Sequence, residues 1–589
     1  MRRNYFPRRL TLDWLRKAYQ SGQLTPEALM QEIIVRAQET KDKNIWIAAP
    51  SEELIFPYLK RLGEPDFAEK PLWGVPFAIK DCLDLAGTPT TSACPAFSYR
   101  PSENAETVQR LLNAGAIPVG KTNMDQFATG LVGTRSPYGE VHNAFRDELV
   151  SGGSSSGSAV AVALGQSVFS LGTDTAGSGR VPAALNHLVG YKPAVGAWPS
   201  KGMVPACASL DCVAVLANNT ADALEISRLL RGPCDEDCRS REIPYQENQR
   251  PKFLCVPQEP PAFFGAYGKS YQKAWGKALN NLRQLGLPIK EIDASFFQKA
   301  AKILYEGPYI AERWSALGDF VEQHPQDIFP VTKAILEHGK GEQYSAAALF
   351  ATLTQLEEYK LEARRILKDA VLILPTVGGT FTRAQVDADP IGANSKMGRY
   401  TNHCNLLDLC AIALPSGFAG EGLPFGVTAF ALSAHEGIFS WLAPRYEALW
   451  KETVEFAVCG LHMQGFPKEY QMTESGGRFL RRTATAPCYR LYSLPGQQER
   501  PGLVRQPAGG ASVQVELWSL PKEGIGELLA QIAPPLGFGT VELADGSKVL
   551  GFLCEACAVE AAEDVTDFGG WRAYQEKTCF LNADKNSLL

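Results

Sequence analysis

The sequence predicts a layered α/β fold followed by a small α+β unit. Three observations carry this. Helical and strand-like patterns alternate from about residue 70 to 230, as elements sharing one layered sheet do. Two blocks of small residues interrupt that alternation: Ser151-Gly152-Gly153-Ser154-Ser155-Ser156-Gly157-Ser158-Ala159 and Gly172-Thr173-Asp174-Thr175-Ala176-Gly177-Ser178-Gly179-Arg180-Val181-Pro182-Ala183. A Gly/Ser-rich stretch ordinarily reads as a flexible linker, but these lie against apolar runs at 159–164 and 168–171, helix and strand in character. Past Phe466-Pro467, finally, the pattern turns to period-two runs at 486–492, 512–518 and 539–543, with turn residues such as Ala508-Gly509-Gly510 between them.

In chain order, residues 10–17 and 25–38 read as amphipathic helices, and 75–79 as a buried strand ending at Lys80. Residues 234–250 are charged and polar, a surface loop. A helix over 267–285 and a strand over 287–293 precede a mostly helical stretch, 297–369, broken at Gly307-Pro308 and 338–341. Residues 371–375 form a further buried strand, 377–402 a long loop over the site, and 441–455 the last helix of the first unit. The expected domains are therefore 1–455, a linker over 456–466, and 467–589.

Composition sets bounds. Of 589 residues, 45% are hydrophobic and 21% charged, as in an ordinary globular protein. The net charge of −6 argues against nucleic acid as a partner. No apolar run is long enough to span a membrane. The basic start, Met1-Arg2-Arg3-Asn4-Tyr5-Phe6-Pro7-Arg8-Arg9, is followed by no apolar signal core, so a cytoplasmic location is expected. The 14 cysteines are scattered among apolar residues and read as reduced core groups. Cys554-Glu555-Ala556-Cys557 follows a strand-like run with no second Cys/His pair near, and the seven histidines lack metal-ligand spacing, so no metal site is expected.

The two serine blocks resemble those of the amidase signature family of serine hydrolases. Gly74-Val75-Pro76-Phe77-Ala78-Ile79-Lys80-Asp81 matches its lysine strand, and Gly120-Lys121-Thr122-Asn123-Met124-Asp125-Gln126-Phe127-Ala128 its next landmark. Leu374-Pro375-Thr376, Asn405-Leu406 and Leu423-Pro424-Phe425-Gly426 match its closing segments. The resemblance covers roughly residues 10–455 and implies an amidase-signature layered fold, a mixed central sheet covered by helices. It also implies Ser178 as nucleophile, Ser154 as a bridging serine on a cis peptide, and Lys80 as base. A lysine acts as base near neutral pH only if its pKa is lowered, and the apolar run before Lys80 provides a desolvated setting. The oxyanion hole would come from the backbone N–H groups of Thr175, Ala176, Gly177 and Ser178, with Arg180 paired to Asp174 as a brace. Taken alone, a Ser/Gly cluster is usually a solvated loop and a lysine after a strand a snorkelling surface residue; their ordered co-occurrence favours chemistry. A rival, the G-x-S-x-G elbow with Ser155 as nucleophile, needs a preceding strand and a downstream acid and histidine. Residues 143–150 are not strand-like, and His338, His403 and His435 sit in no recognisable motif.

The tail narrows the substrate. Thr485-Ala486-Pro487-Cys488-Tyr489-Arg490-Leu491-Tyr492, Pro501-Gly502-Leu503-Val504-Arg505 and Phe568-Gly569-Gly570-Trp571-Arg572-Ala573-Tyr574 resemble the allophanate hydrolase family, whose C-terminal domain is similar to γ-glutamylcyclotransferase-type barrels. That resemblance implies hydrolysis of the allophanate carboxamide to ammonia and N-carboxycarbamate, with no cofactor. Tyr305 and Arg313, in Tyr305-Glu306-Gly307-Pro308-Tyr309-Ile310-Ala311-Glu312-Arg313, would contact substrate; a surface arginine paired with Glu312 or Glu306 is the plain alternative. Gly130 would offer backbone contacts. His462, with Arg478 near it in sequence, would serve the later decarboxylation, or else only pack. A homodimer and an upstream urea-carboxylating partner are also implied, the tail being a possible docking module for the latter. Competing readings are an amidase for biuret or a neutral carboxamide, and the glutaminase-type subunit of a tRNA-dependent amidotransferase. The tail lacks an aromatic-basic RNA-binding pattern, which speaks against the latter.

Overall fold

A computed structural model describes residues 6–420, 422–450, 453–496, 499–560 and 562–586. Residues 1–5 of the basic N-terminal stretch lie outside them. The chain divides into two compact units, one ending at Trp450 and one beginning after it.

The first unit is built on an eleven-stranded sheet. Its strands are β1 (Trp46–Ala48), β2 (Pro76–Lys80), β3 (Ile117–Thr122), β4 (Phe169–Thr173), β5 (Val189–Lys192), β6 (Val213–Ala217), β7 (Phe253–Pro257), β8 (Ile289–Ile292), β9 (Ala370–Pro375), β10 (Leu409–Gly420) and β11 (Leu423–Leu432). Their order is β1-β3-β2-β4-β6-β5-β10-β11-β9-β7-β8. The sheet is mixed: β2 runs parallel to β3 and β4, whereas β6 is antiparallel to β4 and β5. Strands β2, β3, β4, β6 and β9 are buried along their whole length, and β6 (Val213–Ala217) and β9 (Ala370–Pro375) accordingly read as continuous apolar runs rather than alternating ones.

Helix starts follow local chemistry. Thr11 caps Leu12–Gln20, and Thr25 caps Pro26–Glu39, each side chain accepting a backbone N–H. The helices Gly268–Arg283, Ser295–Glu306, Tyr309–Gln323, Pro330–His338 and Ala346–Leu367 lie where helical periodicity placed them. The segment expected as a long loop over 377–402 instead contains two helices, Arg383–Ala388 and Pro390–Met397. A capping box between Thr382 and Gln385 starts the first, and Asp389 with Pro390 at the first helical position starts the second.

The second unit opens earlier than expected. The first unit's last helix is Ile438–Trp450, and β12 (Thr453–Val458) is a strand, where a helix end and a linker had been expected. It pairs antiparallel with β16 (Gln514–Pro521), a partner some sixty residues away that helical periodicity cannot reveal. With β13 (Arg478–Ala484), β17 (Leu536–Glu542) and β18 (Lys548–Cys554) they form a five-stranded sheet ordered β13-β16-β12-β18-β17. A three-stranded sheet joins β14 (Tyr489–Leu494), β15 (Arg500–Arg505) and β19 (Glu563–Asp564). Phe456, Tyr489, Leu517, Trp518 and Trp571 belong to this unit's own core. Cys554 and Cys557 are free thiols, and no group of metal-ligating residues occurs among the described residues.

Candidate active site

Strand order brings the serine blocks to Lys80. Strands β2 and β4 are parallel neighbours, with Ile79 opposite Leu171, so Lys80 and Thr173 meet where both strands end. Lys80 Nζ lies 2.7 Å from Ser154 Oγ and 2.6 Å from Thr173 Oγ1. All of Lys80 is buried, and that burial lowers its pKa despite the upward pull of Cys82, Asp125, Asp211 and Asp174. The Gly153–Ser154 peptide is cis. A side chain at 153 would meet the Asp125 carboxylate at 2.1 Å, so glycine alone fits there. Ser154 O accepts from the Asp125 N–H at 3.2 Å, and Ser178 O from the Ser155 N–H at 3.2 Å; the second bond holds the two serine blocks together.

Ser178, 2% exposed, sits in the turn between β4 and the helix Arg180–Leu185. Asp174 organises that turn. It accepts from Arg180 Nε and Nη2, both at 2.9 Å, and from the N–H groups of Gly177 (2.7 Å), Gly179 (3.1 Å) and Arg180 (3.1 Å). Burial opposes the Asp174 carboxylate, but Arg180 beside it more than offsets this and holds its pKa below the ordinary value. Thr175 Oγ1 bonds Asp211, whose other oxygen accepts from Ala206 and Cys207 N–H at 2.7 and 2.9 Å. Asn405 Nδ2 donates to Asp174 O (2.7 Å) and Leu210 O (2.6 Å). Gly177 has φ +131°, and a β-carbon there would meet Thr401 Oγ1 at 2.3 Å.

Of the four expected oxyanion donors, Gly177 is thus turned away onto Asp174. The N–H groups of Thr175, Ala176 and Ser178 have no acceptor among the described residues. Ser155 is fully buried, its Oγ donating to Thr173 O at 3.1 Å, and no histidine bonds to it. It packs the turn rather than serving as an elbow nucleophile.

The expected substrate cation is also buried. Gly307-Pro308 splits the helical stretch, so Tyr305 ends one helix, Ser295–Glu306, and Arg313 lies on the next, Tyr309–Gln323. The Arg313 guanidinium carbon is 5.4 Å from the Tyr305 ring centroid, and Nη1 donates to Thr129 Oγ1 at 3.1 Å. Its Nε and Nη2 are buried without partners. Glu312 makes no ion pair with it: that carboxylate accepts from Ser209 N–H (2.7 Å), Ser209 Oγ (2.6 Å) and Cys207 Sγ (3.0 Å). Burial opposes the Arg313 charge, but Tyr305, Cys207, Asp211 and Glu312 together outweigh it and raise the Arg313 pKa. Gly130 follows Thr129, and a side chain there would meet Asp125 at 2.5 Å. Thr173, Asp211 and Asn405 were not read from the sequence as site residues. Each acts through a partner far along the chain, and only the Asn405-Leu406 motif carried a signal.

In the second unit His462 is buried, its Nε2 2.7 Å from Gln471 Oε1 and its ring stacked on Phe552 at 4.5 Å. Burial pushes its pKa down to about 4. It borders a recess with Lys468 and Arg500, while Arg478 opens β13.

The amidase family model matches residues 29–438, and that of the allophanate hydrolase C-terminal domain residues 454–576. A urea amidolyase of Saccharomyces cerevisiae is 37% identical over 98% of this chain, which spans only about a third (34%) of that protein's length. The solved allophanate hydrolase of Kluyveromyces lactis is 36% identical, covering 97% of this chain and 99% of its own, with a TM-score of 0.70. A glutamyl-tRNA(Gln) amidotransferase subunit of Lactobacillus johnsonii is 29% identical over 72% of this chain and 93% of its own length.

Proposed function

Since the chain belongs to the amidase family and carries an allophanate hydrolase C-terminal domain, we propose that it hydrolyses the terminal carboxamide of allophanate. Ser178 Oγ attacks the carboxamide carbon, passing its proton to Ser154 Oγ as Ser154 passes its own to Lys80 Nζ. The 2.7 Å contact between Ser154 and Lys80 and the lowered Lys80 pKa support this relay. Oxygen charge in the tetrahedral intermediate falls to the N–H groups of Thr175, Ala176 and Ser178, with Gly177 bracing the turn through Asp174. Collapse breaks the C–N bond, and the proton returned through Lys80 and Ser154 leaves with ammonia. Water, deprotonated by the same relay, then cleaves the ester on Ser178 and releases N-carboxycarbamate.

One observation carries the substrate assignment. Arg313 is a buried guanidinium with two unpartnered nitrogens and, among the described residues, no carboxylate within ion-pair distance, a site that an anionic substrate completes. Tyr305 and Gly130 complete the contacts around the substrate. Decarboxylation of the product is assigned to the second unit, with His462 as its candidate group. The same reading takes the enzyme to be a cytoplasmic homodimer supplied by a urea-carboxylating enzyme; the name and greater length of the yeast relative support such a supply.

The test is ammonia release from allophanate by the wild type, Ser178→Ala and Arg313→Ala. An active wild type, an inert Ser178→Ala and an Arg313→Ala crippled on allophanate are expected. A wild type that ignores allophanate yet hydrolyses biuret would leave the amide chemistry and overturn the substrate.

A further inference from the structure

Two buried arginines, not one, converge on Thr129. Arg313 Nη1 donates to its Oγ1 at 3.1 Å, and Arg135 Nη1 to its carbonyl at 2.9 Å. Arg135 Nη2 donates to Pro390 O at 2.7 Å, its Nε is buried without a partner, and the residue is 2% exposed. Among the described residues, no carboxylate lies within ion-pair distance of either guanidinium. The acidic group that bears on Arg135 is Asp125, and its carboxylate is already bound to the backbone N–H groups of Arg135 (2.9 Å) and Gly133 (3.1 Å). Burial lowers the Arg135 pKa, and the Arg313 charge lowers it further.

The loop presenting Thr129 is held firmly. Phe127 and Ala128 are buried non-glycine residues with φ +52° and +53°, a backbone state kept only where the surroundings impose it. Gln126 ties the loop to Ala93 O (3.2 Å) and to the Phe329 N–H (2.7 Å). Thr129 Oγ1 donates to Phe127 O at 3.1 Å, which leaves its lone pairs aimed at Arg313.

Like charges buried side by side are costly unless an anion joins them. We infer that Arg135 is a second determinant of anion preference, a positioning residue that fixes Thr129, and through it Arg313, while adding a second fixed positive charge to the carboxylate site. This rests on the carboxylate-bearing substrate proposed above. The charge is the part that matters for the anion: the contacts to Thr129 O and Pro390 O hold it in place, and a lysine there keeps it.

The test measures binding to full-length Ser178→Ala protein by calorimetry. The probes are malonamate, the methylene isostere of allophanate, and malonamide, its neutral counterpart. The Ser178→Ala parent is expected to prefer malonamate at least about tenfold. Adding Arg135→Gln should remove about tenfold of malonamate affinity with malonamide binding unchanged, the unchanged binding reporting an intact fold. Arg135→Lys, keeping the charge, should stay within about threefold of the parent. The inference falls if Arg135→Gln keeps the parent's preference, or if Arg135→Lys loses as much as Arg135→Gln, which would mark a purely structural role. If Arg313→Met abolishes the preference while Arg135→Gln does not, the inference fails alone and the substrate reading stands. A parent showing no preference would sink both.

Discussion

The lysine–serine corner and the arginine pocket lie in the same unit, are equally buried, and are finished to different degrees. At the corner of Lys80, Ser154 and Asp174 the charged side chains are held: Lys80 touches two hydroxyls, and the Asp174 carboxylate accepts five hydrogen bonds. Around Arg313 two guanidinium nitrogens have no partner. In the first region the charges are set before substrate arrives and the N–H groups of Thr175, Ala176 and Ser178 stay open, as preorganised electrostatic catalysis requires. The second keeps two guanidinium nitrogens open, as recognition of an anion requires. Catalysis and recognition thus use the same desolvation with opposite bookkeeping.

The largest expected effect is chemical. Ser178→Ala should reduce kcat at least about 10⁴-fold in an ammonia assay, as loss of a nucleophile does elsewhere. Next comes stability, where the two regions should differ in the size of the response. Arg180→Met strands the buried Asp174 carboxylate and should cost about 3–5 kcal/mol in urea unfolding. Arg313→Met strands no carboxylate within ion-pair distance and should cost no more than about 1 kcal/mol. Equal losses would break the contrast.

The smallest effect concerns pH. Lys80 acts as base only when neutral, so kcat should rise with pH, along a limb centred below an ordinary lysine because burial lowers the Lys80 pKa. Thr173 Oγ1, 2.6 Å from Nζ, favours the charged amine. Thr173→Val should therefore lower that pKa further and move the limb to lower pH by about one unit or less. A shift to higher pH would contradict the assignment of Lys80 as base.

The residues proposed for the chemistry are legible in the sequence because their signals are local, and the structure brings Lys80 and Ser154 into contact. Lys80 closes an apolar run, and Ser154 and Ser178 sit in small-residue blocks that no linker would place beside core strands. The supporting residues were not legible: Asp211 reaches Thr175 36 positions back, and Asn405 reaches Asp174 across 231. Arg135 reads as an ordinary loop arginine until Pro390, 255 positions away, folds against it. In the fold, helices with threonine caps were placed closely, whereas 383–397 was taken for loop although Thr382-x-x-Gln385 is a capping signal. Strand Thr453–Val458 was misread as helix and linker because its identity depends on pairing with Gln514–Pro521 rather than on its own pattern.

The most direct measurement is the ratio of kcat/KM for allophanate to that for biuret, its neutral isostere, in the wild type and in Arg313→Met. The wild type should favour allophanate strongly, and Arg313→Met should lose about 10²-fold or more of that ratio while its biuret value holds. A ratio unchanged by the substitution would mean that the buried charge does not read the substrate's carboxylate.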